Sequence, residues 1–194
     1  ILYNAVVPMI GSIIEQSSIM NVVDFGVSYG YVDSLIAELY PSVQIIGIDR
    51  SVLTKQYNER FFKIPNLEFV AGDIFEYFES HPMRDAICFH MRTLTCLPQS
   101  FVERFYDKCA HSGFKRIVGA EVCGISWETG QPYHFSINEK KSVCFRNGMF
   151  IHNYPGLLKK AGYSITESRL LKTNHPDPNY RVVIFAAVLN GIQE

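Results

Sequence analysis

The sequence predicts an α/β domain with a doubly wound, mostly parallel seven-stranded sheet and a C-terminal antiparallel hairpin, and three observations carry that prediction. Short apolar runs alternate with segments of helical spacing over the first 120 residues. The connections between them are short, which implies right-handed crossovers between parallel strands. The last two apolar runs are separated only by residues 172–179 (KTNHPDPN). Eight residues with two prolines cannot hold a crossover helix, which takes about 10–12 residues, so these two strands pair antiparallel.

In chain order, residues 5–18 place Val6, Met9, Ile10, Ile13 and Ile14 on one helical stripe. Residues 20–25 (MNVVDF) read as a buried strand ended by Gly26. Residues 31–40 resume helical spacing through Leu35, Ile36 and Leu39 and stop at Pro41. Residues 43–48 (VQIIGI) form a second strand up to Asp49, and Ser51 caps a helix running to about 62. Residues 67–70 are a third strand and 73–78 a short helix. Residues 85–89 are a fourth strand, 98–110 a helix and 114–120 a fifth strand. Residues 155–161 (PGLLKKA) read as a helix stopped at Gly162, before the hairpin strands 163–171 and 180–189.

At 194 residues the chain fits one domain, 1–194, and 47% hydrophobic against 19% charged residues predicts an ordinary core. A net charge of -1 supplies no basic field for nucleic acid or an anionic membrane. No apolar run approaches the ~18 residues of a membrane span. The five cysteines (88, 96, 109, 123, 144) are odd in number and include no CxxC pair. That argues against a disulfide framework and a zinc site and for reduced thiols in the cytoplasm. Ile1 in place of an initiating Met leaves room for residues upstream, a removed targeting segment included.

Ligands of an open parallel sheet bind beyond the carboxyl ends of its strands. After the first strand stands Asp24-Phe25-Gly26-Val27-Ser28-Tyr29-Gly30, whose glycines allow a tight turn and close backbone approach. The following helix offers free N–H groups to a carboxylate. Asp49 ends the second strand and suits the two hydroxyls of a ribose. After the third come Asp73, an acceptor for an exocyclic amine, and Ile74, an apolar surface for a ring; after the fourth comes His90.

Together these residues resemble the class I S-adenosylmethionine-dependent methyltransferases, over nearly the whole chain. The family's first motif, acidic-x-Gly-x-Gly-x-Gly, is matched from Asp24 to Gly30 with Ser28 at the middle glycine. Asp49 falls at the family's ribose-binding acid, Asp73 at its adenine-contacting acid, and the hairpin at its antiparallel seventh strand. The resemblance implies a Rossmann-like fold and S-adenosyl-L-methionine as cofactor. It implies a cofactor site of Asp24, Gly26, Ser28, Gly30, Asp49, Arg50, Asp73, Ile74 and His90.

Other readings stand beside it. Gly26-Val27-Ser28-Tyr29-Gly30 also spells the G-x-S-x-G elbow of α/β-hydrolases, with Ser28 as nucleophile, His152 or His175 as base and Asp85 or Asp107 as acid. Only 25 residues precede Gly26, too few for the strands such hydrolases carry before the elbow. A nicotinamide-binding oxidoreductase would need G-x-G-x-x-G, which is not the spacing here. A non-catalytic binding protein of the same fold is a third class.

Methyl transfer from a sulfonium needs position above all, and a base only where the acceptor carries a proton to be removed. Candidate bases are His90 and His134, then Glu121 and His152. The acceptor side is expected over residues 122–154, which hold Trp127, Tyr133, His134, Phe135, Arg146, His152 and Tyr154. After the fourth strand the chain reads Phe89-His90-Met91-Arg92 rather than Asn/Asp-Pro-Pro-Tyr/Phe, which speaks against adenine-N6 and glutamine-N5 acceptors. The near-neutral charge favours a small-molecule acceptor over RNA.

Overall fold

Strand residues alternate between the two faces of a sheet, so a strand covered on both faces is apolar almost throughout. The sequence 22–25 (VVDF) meets that demand: Val22 joins the core on one face, Val23 and Phe25 that on the other. In the computed structural model, which describes residues 2–81, 83, 85–123, 143–144, 148–174 and 180–191, two such cores sandwich the sheet.

The elements follow the order α1 (Tyr3–Gln16), β1 (Asn21–Phe25), α2 (Tyr31–Leu39), β2 (Gln44–Asp49), α3 (Val52–Phe61), β3 (Leu67–Ala71), α4 (Ile74–Ser80) and β4 (Ala86–Met91). A single 3₁₀ turn (Leu94–Cys96), α5 (Gln99–Ser112), β5 (Arg116–Cys123), β6 (Val143–Cys144), β7 (Phe150–Ile151), α6 (Tyr154–Lys160), β8 (Tyr163–Lys172) and β9 (Arg181–Leu189) complete them. Seven strands make one sheet in the order β3-β2-β1-β4-β5-β9-β8, while β6 and β7 pair separately. The first five are parallel, and β9 runs antiparallel to both β5 and β8, as the eight-residue connection requires.

Helices α1 and α2 cover one face through Val6, Ile10, Val32 and Ile36, which meet Val22, Ile45, Ile87 and Phe89. On the other face Phe75, Phe78, Val102, Phe105 and Leu158 from α4, α5 and α6 meet Val23, Phe25, Cys88 and Ile117. The outer strand β8 carries Glu167, Arg169 and Lys172 mostly to solvent, charges that discourage pairing with another chain.

Two boundaries differ from the sequence reading. β5 begins at Arg116 and runs on to Cys123, because β9 pairs with it residue for residue as far as Cys123 opposite Arg181. Phe114, expected in the strand, is instead a core plug whose carbonyl accepts from the Tyr163 hydroxyl at 2.7 Å. The β6–β7 ribbon is an addition the sequence reading lacked; the rest of the expected 122–154 excursion between 124 and 147 lies outside the described residues. Among the described residues no helix is long and apolar enough to cross a membrane.

Candidate cofactor site

β1 sits between β2 and β4, so the strand order reverses between β1 and β4. A ligand crevice is expected outside the carboxyl ends of those two strands. There the structure has a cavity of about 380 Å³ lined by the turn Gly26–Gly30, the start of α2, Asp24, Met91 at the end of β4, and Arg92 and Thr93 after it, with Tyr3 of α1 at its edge.

The turn is held from three sides. Gly26 and Val27 donate their N–H groups to the Ile48 carbonyl at 2.8 and 3.2 Å. Ser28 N–H donates to Asp49 Oδ2 at 3.3 Å, and the buried Asn58 amide donates to the Ser28 carbonyl at 2.8 Å. Asp49 therefore joins the β1 turn to the end of β2, and its Oδ1 accepts from Ser51 N–H at 2.9 Å. Gly26 has φ +82°, and a Cβ there would lie 2.3 Å from Thr93 Oγ1, so both conformation and contact call for glycine. Ser28 has φ +50°, the left-handed conformation in which the family motif places a glycine.

The third strand end is tied in by Gly72 N–H, which donates to the Asp49 carbonyl at 3.0 Å. Asp73 caps α4 through Oδ1, 2.8 Å from Phe75 N–H, and its Oδ2 has no partner among the described residues. Arg50 is exposed beside Asp49. The Ile74 side chain, expected against a ligand ring, is 2% exposed and packed into the core beside Phe75 and Phe78. It is a core residue in this structure, and any part it takes at the rim falls to its backbone.

Asp24 and Asp33 line the cavity, yet both are buried and no cation pairs with them among the described residues. Burial raises the Asp24 carboxyl well above the usual range, and the neighbouring Asp33 carboxylate raises it further, with lesser contributions from Cys88 and Asp49. Burial pushes Asp33 up to about 7. With both acids ionised, Asp24 Oδ1 and both Asp33 oxygens have no donor; a proton shared between them supplies one.

His90 is not on this cavity. It is fully buried, its Nδ1–H donates to Glu121 Oε1 at 2.8 Å, and its Nε2 accepts from the Tyr106 hydroxyl at 3.2 Å. With both nitrogens engaged and Phe105 and Phe185 around the ring, it is a structural histidine, which corrects the expectation of a catalytic or cofactor-contacting one. Glu121, another candidate base, is equally buried and accepts from four donors: His90, Thr93 N–H, Leu94 N–H and Thr95 N–H. His152 donates from Nε2 to the Leu94 carbonyl at 3.0 Å, and burial lowers its pKa. His134, with Trp127, Tyr133, Phe135 and Arg146, lies outside the described residues.

The hydrolase reading fails on this geometry. The elbow would follow β1, the first strand in chain order, which stands between β2 and β4 at the cavity. Ser28 is exposed on the turn while His152 is buried under residues 94–96, and His175 lies outside the described residues. Asp85 is engaged with Lys115 at 2.8 Å and Asp107 with His111 at 3.6 Å. Among the described residues no group of three or more His, Cys, Asp or Glu could hold a metal ion.

Comparison with known proteins agrees with the topology. No family model matches the chain. Its sequence is similar to a Dictyostelium discoideum protein described as a probable inactive O-methyltransferase 11, at 35% identity over 81 residues, 42% of this chain and 23% of that one. The match thus spans under a quarter of that relative's length. Magnesium protoporphyrin IX methyltransferase from Synechocystis PCC 6803, crystallised with S-adenosylmethionine, superposes with TM-score 0.67 at 13% identity over 97% of this chain and 78% of that one. Geranyl diphosphate methyltransferase, also crystallised with S-adenosylmethionine, gives 0.69 at 11% identity over 96% and 84%. The chain therefore has the fold of the class I S-adenosylmethionine-dependent methyltransferases.

Proposed function

We propose that the cavity at the ends of β1 and β4 binds S-adenosyl-L-methionine and that the chain transfers its methyl group to a small-molecule acceptor. The observation that carries this reading is the linkage of Asp49 to the Ser28 turn at the strand-order reversal. Asp49 holds the glycine turn from behind, and that turn, the N-terminus of α2 and the buried Asp24 line one cavity there.

The residues fit the cofactor's chemistry. Gly26 and Gly30 let the backbone approach, and the first N–H groups of α2 serve its carboxylate. Asp24 and Ser28 line the cavity, where Asp24 would take its ammonium. Asp49, Arg50, Asp73 and Ile74 stand outside that lining at the ends of β2 and β3, where Asp49 would take its ribose and Asp73 Oδ2 its adenine amine, with Arg50 and the Ile74 backbone beside them. The cofactor, when bound, supplies the electrophilic methyl; the chain's part is to hold the two reactants in line and keep water out. Of the four candidate bases, His90, Glu121 and His152 are buried and engaged, so an acceptor that must lose a proton would turn to His134. The small-molecule acceptor is supported by the near-neutral charge and by the substrates named for the structural neighbours.

The test is thermal stability with and without S-adenosylhomocysteine, in wild type and Asp49→Asn. Ligand at about 100 times its dissociation constant adds about 2.7 kcal/mol to the native state. A rise in Tm in wild type that shrinks in the variant is expected; no rise at saturating ligand overturns the reading. A second reading, cofactor binding without turnover, is favoured by the word inactive in the relative's name. A full thermal shift with no methyl transfer to any offered acceptor would select it.

A further inference from the structure

Beyond the strand-end acids, the cavity holds one side chain that the family motif does not require. Asp33 is the third residue of α2, on the helix's inner side beside Ile36 and Ala37, where an apolar residue would complete the core. It is 1% exposed, lines the cavity, and neither oxygen has a hydrogen-bond donor. Asp24, 4% exposed, faces the same cavity with Oδ1 also unpartnered.

A buried, cation-free acid pair is costly, and it is relieved by a ligand that brings the missing positive charge and donors. Two carboxylates are too few to hold a divalent metal, and no third acid, His or Cys completes a set among the described residues. A primary ammonium carries one charge and three donors, which suits three unpartnered oxygens. The N-terminus of α2 beside it suits the carboxylate of the same α-amino acid.

We infer that Asp33, together with Asp24, forms a two-carboxylate seat for the α-ammonium group of the cofactor, and that docking of this cation displaces the proton the two acids share. The inference rests on the cofactor reading above and adds to it a positioning residue and a proton linkage. The proton leaves to solvent and no bond of the ligand changes. The other titratable groups facing the pair are Asp49 at the end of β2 and Cys88 on β4, both of which favour its protonated form. Arg92 after β4, Tyr3 of α1 and Tyr31 of α2 line the same cavity. The sign follows: the protonated pair competes with the ammonium, so affinity falls as pH falls through the range in which the two raised acids titrate together.

Calorimetric titration of wild type and Asp33→Asn between about pH 5.5 and 8.5, in two buffers of different protonation enthalpy, tests this. The probes are S-adenosylhomocysteine and 5′-deoxy-5′-methylthioadenosine, which lacks the amino acid portion. For wild type, the affinity for S-adenosylhomocysteine should fall by up to about tenfold per pH unit as pH falls through the range in which the pair titrates, with release of about one proton. In Asp33→Asn that affinity at pH 8 should weaken about ten- to hundredfold and its pH slope flatten, while methylthioadenosine binding stays unchanged by pH or substitution. Equal slopes in both proteins with no proton release, while both probes bind, would overturn the inference and leave the cofactor reading standing. Failure of both probes to bind at every pH would remove the cofactor reading and the inference with it.

Discussion

The His90 imidazole and the Glu121 carboxylate meet at 2.8 Å with neither side chain touching solvent. Glu121 Oε1 also accepts from Thr93 N–H and Leu94 N–H at 3.2 and 3.1 Å, and Oε2 from Thr95 N–H at 3.1 Å. One buried acid thereby fixes the turn that follows β4. That turn carries Thr93, which packs on Gly26 at the cavity. The pair is thus the support beneath the site and not its chemistry.

Replacing Glu121 by Ala should therefore act on the site through the fold. It strands three backbone N–H groups and the His90 ring in an apolar interior, and breaking such a buried network costs about 3–5 kcal/mol. Urea denaturation should show that loss, and the S-adenosylhomocysteine thermal shift should shrink with it. A variant as stable as wild type would mean that the 93–95 turn holds itself.

Gly26→Ala should lower both stability and ligand response, by contrast with Gly72→Ala. At Gly26 the backbone has φ +82° and a Cβ would stand 2.3 Å from Thr93 Oγ1 and 2.5 Å from Thr93 Cγ2. The conformation alone costs about 1–2 kcal/mol, and Thr93 must also give way into the cavity. At Gly72 a Cβ meets nothing within 4 Å and φ is not positive, so a change within about 0.5 kcal/mol is expected. Melting temperatures of the two variants, each with and without ligand, check the contrast.

Much of the fold was legible because the strands are buried on both faces and so read as unbroken apolar runs between short loops. The motif acids Asp24 and Asp49 were legible for a related reason: in a parallel sheet every strand ends on the same rim. Two things were hidden. The strand order depends on contacts between residues far apart in the chain, and no local pattern carries it. His90 stands at a strand end like the others, but Tyr106 and Phe185 close over it, which only the packing reveals. Asp33 and Glu121 did leave a signal: each is an acid on an otherwise apolar face, Asp33 with Ile36 and Ala37, Glu121 within the run 117–123 (IVGAEVC). An acid in such a place needs donors, and that reasoning would have singled out Asp33 and read Glu121, named only as a candidate base, as a buried anchor.

The raised acids give the unliganded protein a pH-dependent stability. Asp33 lies at about 7 against an ordinary value of 3.8, so the native state holds its proton more tightly than the unfolded chain does. The part of the destabilisation linked to Asp33 accumulates as pH rises from about 4 to about 7. Asp33→Asn keeps the shape and removes the titration. It should melt several degrees above wild type at pH 8, and its advantage should shrink towards pH 4. Melting curves that run parallel from pH 4 to 8 would show that burial of Asp33 carries no such penalty.

Ser28 supplies a test at the turn itself. Its φ of +50° puts a β-carbon in a conformation that disfavours side chains, and its backbone is held there by Asp49 and Asn58 at 3.3 and 2.8 Å. The strain belongs to the backbone, so a residue with no Cβ should relieve it and a β-branched one should worsen it. Ser28→Gly is expected to stabilise by up to about 1 kcal/mol, the relief of the left-handed conformation being partly offset by the greater freedom of glycine in the unfolded chain. Ser28→Val should destabilise by about 1–2 kcal/mol. The same pair separates the hydroxyl from the backbone in function. If Ser28 serves the site through its N–H and its turn, Ser28→Gly keeps the S-adenosylhomocysteine thermal shift and Ser28→Val diminishes it. Loss of the shift in Ser28→Gly at undiminished stability would assign the binding role to the hydroxyl instead.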